Sequence, residues 1–268
     1  MTNMNFTVDR DRCIKCGLCK QDCIVKIIEY DNEGIPYITN EKDCIKCQHC
    51  FSICPKGAIS IFNKNPDKSF ICNQIPNADQ VEHLIKSRRS YRLFKEDAID
   101  SNTMHRLKDI LNWTPTGVNY RDLHFSIVEN PETMEEIKKS VYKSLIPALK
   151  LIPVPKRFKK YKKLIINGED VVFRNAPHMI VVSANKNAPC KDIDPIISLS
   201  YFELYAQSMG IGTVWCGIAT GLLPIFKNIM KKFDIPKTHK LSYVMLLGYP
   251  KYKYSRSIQP EKYEITSI

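Results

Sequence analysis

Cys13, Cys16, Cys19 and Cys23 follow one another at the spacing C-x2-C-x2-C-x3-C, and Cys44, Cys47, Cys50 and Cys54 repeat it 31 residues later, with Pro55 directly after. Three thiolates two residues apart let a short loop wrap one iron–sulfur cubane, each sulfur taking a different iron; the fourth iron needs a ligand from elsewhere. The cysteine three residues further on points away from its own loop and can complete the cluster held by the other run. The expected sets are therefore Cys13, Cys16, Cys19 with Cys54, and Cys44, Cys47, Cys50 with Cys23, giving two 4Fe-4S clusters side by side. Tetrahedral zinc is the competing reading, but it leaves the third cysteine of each run without a use. Disulfides are disfavoured by crowding at two-residue spacing and by a reducing compartment. A cytoplasmic location, with no membrane span, is expected because Met1–Asn5 lacks the basic start and apolar stretch of a secretory signal and no apolar run reaches bilayer length.

The residues around the cysteines repeat too. Asp11-Arg12-Cys13-Ile14-Lys15-Cys16-Gly17-Leu18-Cys19 recurs as Lys42-Asp43-Cys44-Ile45-Lys46-Cys47-Gln48-His49-Cys50, and each run leads into a short apolar stretch, 25–30 in one copy and 58–62 in the other. Asp31-Asn32-Glu33-Gly34 reads as a turn between strand-like stretches, and Asn63–Ser69 as a polar linker. The expected division is 1–72 and 73–268. Over 5–62 the chain resembles two-cluster bacterial ferredoxins. One departure is Ile24, where that family usually has proline after the fourth cysteine of the run; it alters the local turn and the cluster's potential rather than its ligation. Cys72, Cys190 and Cys216 fall outside the pattern and are expected as buried core thiols.

Behind the repeat, the elements that must position any second site alternate between helices and apolar strands. Val81, Leu84, Ile85 and Arg88 share one helical face; Ser101 is expected to cap a helix whose face is Met104, Leu107, Ile110 and Leu111; Asp194-Pro195 is expected to open a third helix, with Asp194 as cap. Strands are expected at Phe125–Val128, Met179–Ser183, Thr213–Cys216 and Leu241–Leu247, too apolar for a sheet open on both faces. Pro147, Pro153 and Pro155 argue against a long regular helix over 142–155. The fold class is thus α+β, a small two-repeat domain followed by a larger layered domain with a covered sheet.

The second part carries the charge. Of a net +12, residues 1–70 contribute ten Lys/Arg against nine Asp/Glu, while 73–268 hold thirty against nineteen. Lys156-Arg157-Phe158-Lys159-Lys160-Tyr161-Lys162-Lys163 concentrates it. A solvated face is the first reading of that run, docking of an acidic redox partner the second, and nucleic acid the third, since neither segment resembles a binding module. No P-loop occurs, and Gly210-Ile211-Gly212 fails as a dinucleotide fingerprint because Trp215 stands where its third glycine belongs and a helix precedes it.

Ser87-Arg88-Arg89-Ser90-Tyr91-Arg92-Leu93-Phe94 sets three arginines around a serine. Planar guanidinium forks and a hydroxyl suit a phosphate ester, although a basic helix end complementing its own dipole is the better reading from these residues alone. Thr114-Pro115-Thr116-Gly117-Val118-Asn119 is a loop rich in hydrogen-bonding groups before a strand. Taken in order with Asn175-Ala176-Pro177, the helix ending Met209-Gly210-Ile211-Gly212-Thr213-Val214-Trp215, and the late Gly248-Tyr249-Pro250, these pieces resemble the nitroreductase family of flavin enzymes from about 80 to 257. The resemblance implies a central, mainly antiparallel sheet covered by helices, non-covalent FMN and a homodimer. It implies Arg88, Ser90 and Arg256 at the phosphate, Arg89 among the cofactor contacts, Arg92 by the pyrimidine edge, Asn119 on the isoalloxazine, and backbone around Trp215, Cys216 and Gly217 along the ring. Tyr142, Leu145 or Ile146 would shape the substrate pocket, with a plain connector over 142–155 the equal alternative, and no catalytic side chain is assigned.

Together the two segments imply an iron–sulfur flavoprotein reductase. A one-electron donor such as a ferredoxin or flavodoxin would feed the clusters, and FMN would reduce a small organic acceptor, a nitroaromatic, a quinone or an activated alkene. The alternative is a non-catalytic relay subunit of a larger redox complex, with the basic face as its docking surface. Nucleic acid and membrane are not expected partners.

Overall fold

The computed structural model describes residues 4–268. The chain folds as two compact units, one running to Pro76 and taking in Val118–Tyr120, the other formed by Asn77–Gly117 with Arg121–Ile268. The division falls four residues beyond the expected 72.

In the first unit the sequence repeat becomes a backbone repeat. β1 (Thr7–Val8), α1 (Leu18–Asp22), β2 (Ile28–Tyr30), β3 (Pro36–Ile38), α2 (His49–Ser52) and β4 (Ile59–Ser60) form two antiparallel pairs, β1 with β4 and β2 with β3. Lys15, Gly17 and Lys26 have positive φ, and so do their counterparts 31 residues on, Lys46, Gln48 and Gly57. Left-handed backbone costs a non-glycine residue roughly 1–2 kcal/mol, and it recurs at the same place in both cysteine loops. Asp31 closes the expected turn, its Oδ1 accepting the amides of Glu33 at 2.9 Å and Ile35 at 2.8 Å. The core is thin: Ile28 and Ile59, equivalent in the repeat, are 2% exposed and pack with Cys19. Burying two such side chains supplies only about 1.5–3 kcal/mol each, little for a unit of this size.

The second unit is built on a four-stranded antiparallel sheet in the order β5-β6-β8-β7: β5 (Leu123–Val128), β6 (His178–Asn185), β7 (Gly212–Trp215) and β8 (His239–Gly248). Its helices are α3 (Ala78–Ser87), α4 (Ser101–Ile110), α5 (Pro131–Leu151), α6 (Lys159–Ile166), α7 (Asp194–Ser208), α8 (Gly217–Leu222) and α9 (Lys227–Met230). Both sheet faces are covered, which explains the unbroken apolar strands. Met179, Val181, Val244 and Leu246 point into one core with Met134, Ile137 and Val141 of α5. The alternate residues Ile180, Val182, Met245 and Leu247 point into the other, with Met104 and Leu107 of α4 and Leu199 and Phe202 of α7. Among the described residues no helix is long and apolar enough to cross a membrane.

Four local expectations are corrected. Asp100, not Ser101, caps α4, its Oδ1 accepting the Thr103 amide at 2.9 Å; the carboxylate one position earlier reaches the free amides of the first turn. Asp194 is the first residue of α7, with Ile193 in the cap position, and its carboxylate accepts from Gly117 N at 3.0 Å instead. α5 runs for 21 residues with Pro147 inside it. Pro147 and Lys143, whose carbonyl its ring crowds, both lie on the exposed side one turn from the helix end, where water can take the freed carbonyl. Of the three extra cysteines only Cys216 is buried; Cys190 is half-buried and Cys72 exposed.

Candidate functional site

In the first unit Cys13, Cys16, Cys19 and Cys54 line one hollow. Cys23, Cys44, Cys47 and Cys50 line a second. Each hollow thus takes three cysteines from one run and the fourth from the other. Among the described residues no three or more His, Cys, Asp or Glu side chains are gathered closely enough to hold a single metal ion. A cubane, with an iron for each sulfur, is a wider guest than one ion, and hollows walled by four separated thiols fit that group.

The walls differ. Ile24, Val25, Ile27, Ile38 and Ile61 line the second hollow, while Tyr30, Pro36 and Ala58 are among the residues lining the first. Ala58 N donates to Cys54 Sγ at 3.2 Å, and Lys46 N to Cys44 Sγ at 3.4 Å. Burial pushes the Cys19 and Cys44 thiols up and raises Cys50 to about 12. These thiols keep their protons in water-poor surroundings, so cluster binding must release them.

In the second unit, β7 brings two separate motifs together. Ser90 bridges Thr213 in parallel, and Tyr91 N donates to Thr213 O at 2.9 Å, so the Arg88–Arg92 segment lies along the strand that ends in Trp215. Arg88 leaves the end of α3 and its Nη1 donates to Glu203 Oε1 at 3.1 Å. The same carboxylate accepts from Thr213 Oγ1 at 3.3 Å and from Trp215 Nε1 at 3.0 Å. Glu203, 5% exposed on α7, therefore ties Arg88 to Trp215. The indole also meets the Tyr243 ring edge-on, centroids 5.1 Å apart.

Arg89 Nη2 is buried and has no hydrogen-bond partner, although Nη1 of the same side chain donates to Arg88 O. A buried guanidinium N–H aimed at no acceptor, beside Arg88 and Ser90, fits an anionic group such as a phosphate ester. Arg92 is exposed, its Nη1 3.4 Å from Ser90 O. Cys216 is buried, its Sγ donating to Val172 O at 3.1 Å, and Gly217 opens α8. Arg256 lies in the exposed segment 251–268, two residues after Tyr254, whose ring packs on Tyr91 at 5.3 Å. Asn119 counts with the first unit, where its Nδ2 donates to Ile45 O at 3.0 Å.

Two features escaped the sequence reading. Glu203 is one: a glutamate in mid-helix carries no local signal, and only the fold sets it beneath Arg88 and Trp215. The other is the loop Asp170–Asn175. Asp170 accepts from the amides of Phe173 at 2.7 Å and Asn175 at 2.8 Å, holding Arg174 and Asn175 both at positive φ. Tyr142, a pocket candidate by resemblance, is bound into that loop, donating to Asp170 and accepting Val172 N at 3.1 Å; burial and the carboxylate raise its hydroxyl above the usual range. Leu145 and Ile146 are half-buried against the core.

The nitroreductase family matches residues 85–249, and a 4Fe-4S dicluster domain matches 12–59. An iodotyrosine deiodinase from Thermotoga neapolitana is 25% identical over 65% of this chain and 92% of its own. An archaeal-type glutamate synthase from Dehalococcoides mccartyi is 36% identical, over 30% of this chain and only 16% of that protein. A nitroreductase with bound FMN from Bacteroides fragilis has the same fold, with TM-score 0.59 and 20% identity over 72% of this chain and 99% of its own. With the first match spanning more than half of its length, the chain belongs to the nitroreductase family, as an oxidoreductase that carries a 4Fe-4S dicluster domain ahead of that fold.

Proposed function

We propose that this protein is an iron–sulfur flavoprotein reductase that takes electrons singly from a donor at two 4Fe-4S clusters and delivers them through FMN to a small organic acceptor, a nitroaromatic or a quinone. The observation that carries the reading is the pairing, on one chain, of two hollows each walled by four cysteines with an arginine-rich segment bound along β7. Cys13, Cys16, Cys19 and Cys54 would hold one cluster, Cys44, Cys47, Cys50 and Cys23 the other. Arg88, Arg89 and Ser90 would hold the FMN phosphate, with Arg256 completing the group. Trp215, Cys216 and Gly217 would line the ring, with Arg92 at the pyrimidine edge. When bound, FMN supplies the conversion between single electrons and an electron pair. The protein's part is to fix positive charge where the reduced cofactor is anionic, which needs no reorganisation during turnover. A homodimer belongs to the same proposal: Val81 and Ile85 of α3 are 41% and 54% exposed, an apolar stripe open to solvent in one protomer.

The test is anaerobic. Purified protein is assayed for iron, sulfide and FMN, and then mixed separately with NADH, NADPH and a reduced ferredoxin. Bleaching of the clusters by the reduced ferredoxin ahead of the flavin is the expected order. Fast flavin bleaching by NADH with the clusters left oxidised reverses the proposed flow, and two zinc ions without iron remove the clusters from it.

A further inference from the structure

The basic run resolves into a shaped surface. Lys156–Phe158 form one turn of 3-10 helix, and Lys159–Ile166 form α6. Lys159, Lys162, Lys163 and Ile166 fall at i, i+3, i+4 and i+7, one stripe of the helix. Across from that stripe stand Pro153 and Val154, and an open hollow of about 430 Å³ lies between the two sides. Lys162 Nζ donates to Ile152 O at 2.9 Å and so fastens the proline-rich segment over the helix. From Lys150 to Lys163 there are seven basic residues and no acid, and Arg157 lies over the Phe158 ring at 4.9 Å. Around them Leu151 is 86% exposed and Ile152 55%.

We propose that this face docks a small acidic one-electron carrier protein. The inference rests on the reading that electrons enter the protein singly. A second copy of this chain does not fit the face, because it would bring two like-charged stripes together. A nucleic acid fits poorly: an eight-residue helix is only about 12 Å long, too short to track a phosphate backbone. Exposed aliphatic side chains, moreover, contact protein surfaces rather than phosphates. Cations surrounding an apolar patch match a carboxylate-rimmed protein with an apolar centre. Each encounter passes one electron, oxidising the carrier by one and reducing one centre of this protein by one, with no bond made or broken.

The test uses the full-length holoprotein and the variant Lys159→Gln/Lys160→Gln/Lys163→Gln, which spares the Lys162 hydrogen bond. An acidic flavodoxin serves as the probe. Binding of oxidised flavodoxin is measured by calorimetry, and the rate of electron transfer from reduced flavodoxin by stopped flow, both at low and at high salt. Expected is wild-type binding that weakens steeply with salt, and a transfer rate about 10-fold lower in the variant at low salt, with a flatter salt dependence. Equal affinity and salt slope in the two proteins overturn the proposal. So does a DNA duplex that binds tighter than flavodoxin and is released by the same substitutions. The oxidised-probe arm reads docking alone. Reduced methyl viologen, a cationic donor that needs no basic face, tests single-electron entry separately and should reduce both proteins at one rate.

Discussion

Replacing Glu203 by alanine should destabilise the second unit by about 3–5 kcal/mol, the range for removing one partner of a buried pair. The carboxylate is 5% exposed and takes three donors: Arg88 Nη1 at 3.1 Å, Thr213 Oγ1 at 3.3 Å and Trp215 Nε1 at 3.0 Å. Arg88 has a side chain 35% exposed, so water recovers part of its loss. Thr213 is 1% exposed and has no such recourse. An unsatisfied buried donor costs about 1–3 kcal/mol, and the indole and hydroxyl together with a discounted ion pair reach the stated range. Glu203→Gln keeps the shape but turns an amide NH2 toward one side of a ring of donors, so it should cost less, about 1–3 kcal/mol. The chain's two tryptophans, Trp113 and Trp215, both lie in the second unit, so urea unfolding followed by their emission reports on that unit alone. Because Arg88 is placed by this carboxylate, FMN affinity measured by flavin fluorescence should fall with stability in the alanine variant. A loss under about 0.5 kcal/mol, the size of an ordinary surface change, with FMN affinity intact, would refute the role given to Glu203.

Three further outcomes are expected. Cys54→Ser should abolish the magnetic resonance signal of the cluster held by Cys13, Cys16 and Cys19 and leave the other, because Cys54 shares their hollow; loss of the signal belonging to Cys44, Cys47 and Cys50 would show that the fourth ligands are not exchanged. The cluster of Cys44, Cys47, Cys50 and Cys23 should have the lower midpoint in a redox titration, since its hollow is more aliphatic and its backbone N–H to sulfur contact is longer, 3.4 Å against 3.2 Å; equal midpoints count against this. Stability should fall as pH drops below about 6.5 through His178, whose buried ring accepts Ile99 N at Nε2 and meets Val128 O at Nδ1. Burial lowers its folded-state pKa, so the unfolded chain takes the proton first, and stability is full above the unfolded value and declines by up to about 1.4 kcal/mol per pH unit toward the folded one. Urea midpoints for wild type and His178→Gln at pH 7.5 and 5.5 check this, and identical pH dependence in the two proteins removes His178 as the cause.

The cysteine pattern carried most of the first unit, because ligand spacing is a local constraint: wrapping one cluster needs the same loop wherever it occurs. The recurrence of positive φ at 15 and 46, at 17 and 48, and at 26 and 57 is the backbone form of that constraint. The covered sheet was also legible, since strands buried on both faces must be apolar throughout. What could not be read were the contacts made by distance in sequence. Arg88 looked better suited to a helix end than to a phosphate. Its neighbour across the fold is Glu203, 115 residues away, which neutralises and aims it, while Arg89 holds the buried N–H without a partner. Pro147 misled for a related reason: the ban on proline inside helices is a statement about a buried or paired carbonyl, and here the ring sits on the wet side of the last turn. Both cases turn on exposure, which periodicity reports for whole faces and not for single atoms. The phosphate reading of the arginine segment therefore stands on the orphaned Arg89 nitrogen more than on the count of arginines, and Arg89→Lys, which keeps the charge but withdraws the fork, should weaken FMN binding where Arg92→Lys leaves it nearly unchanged.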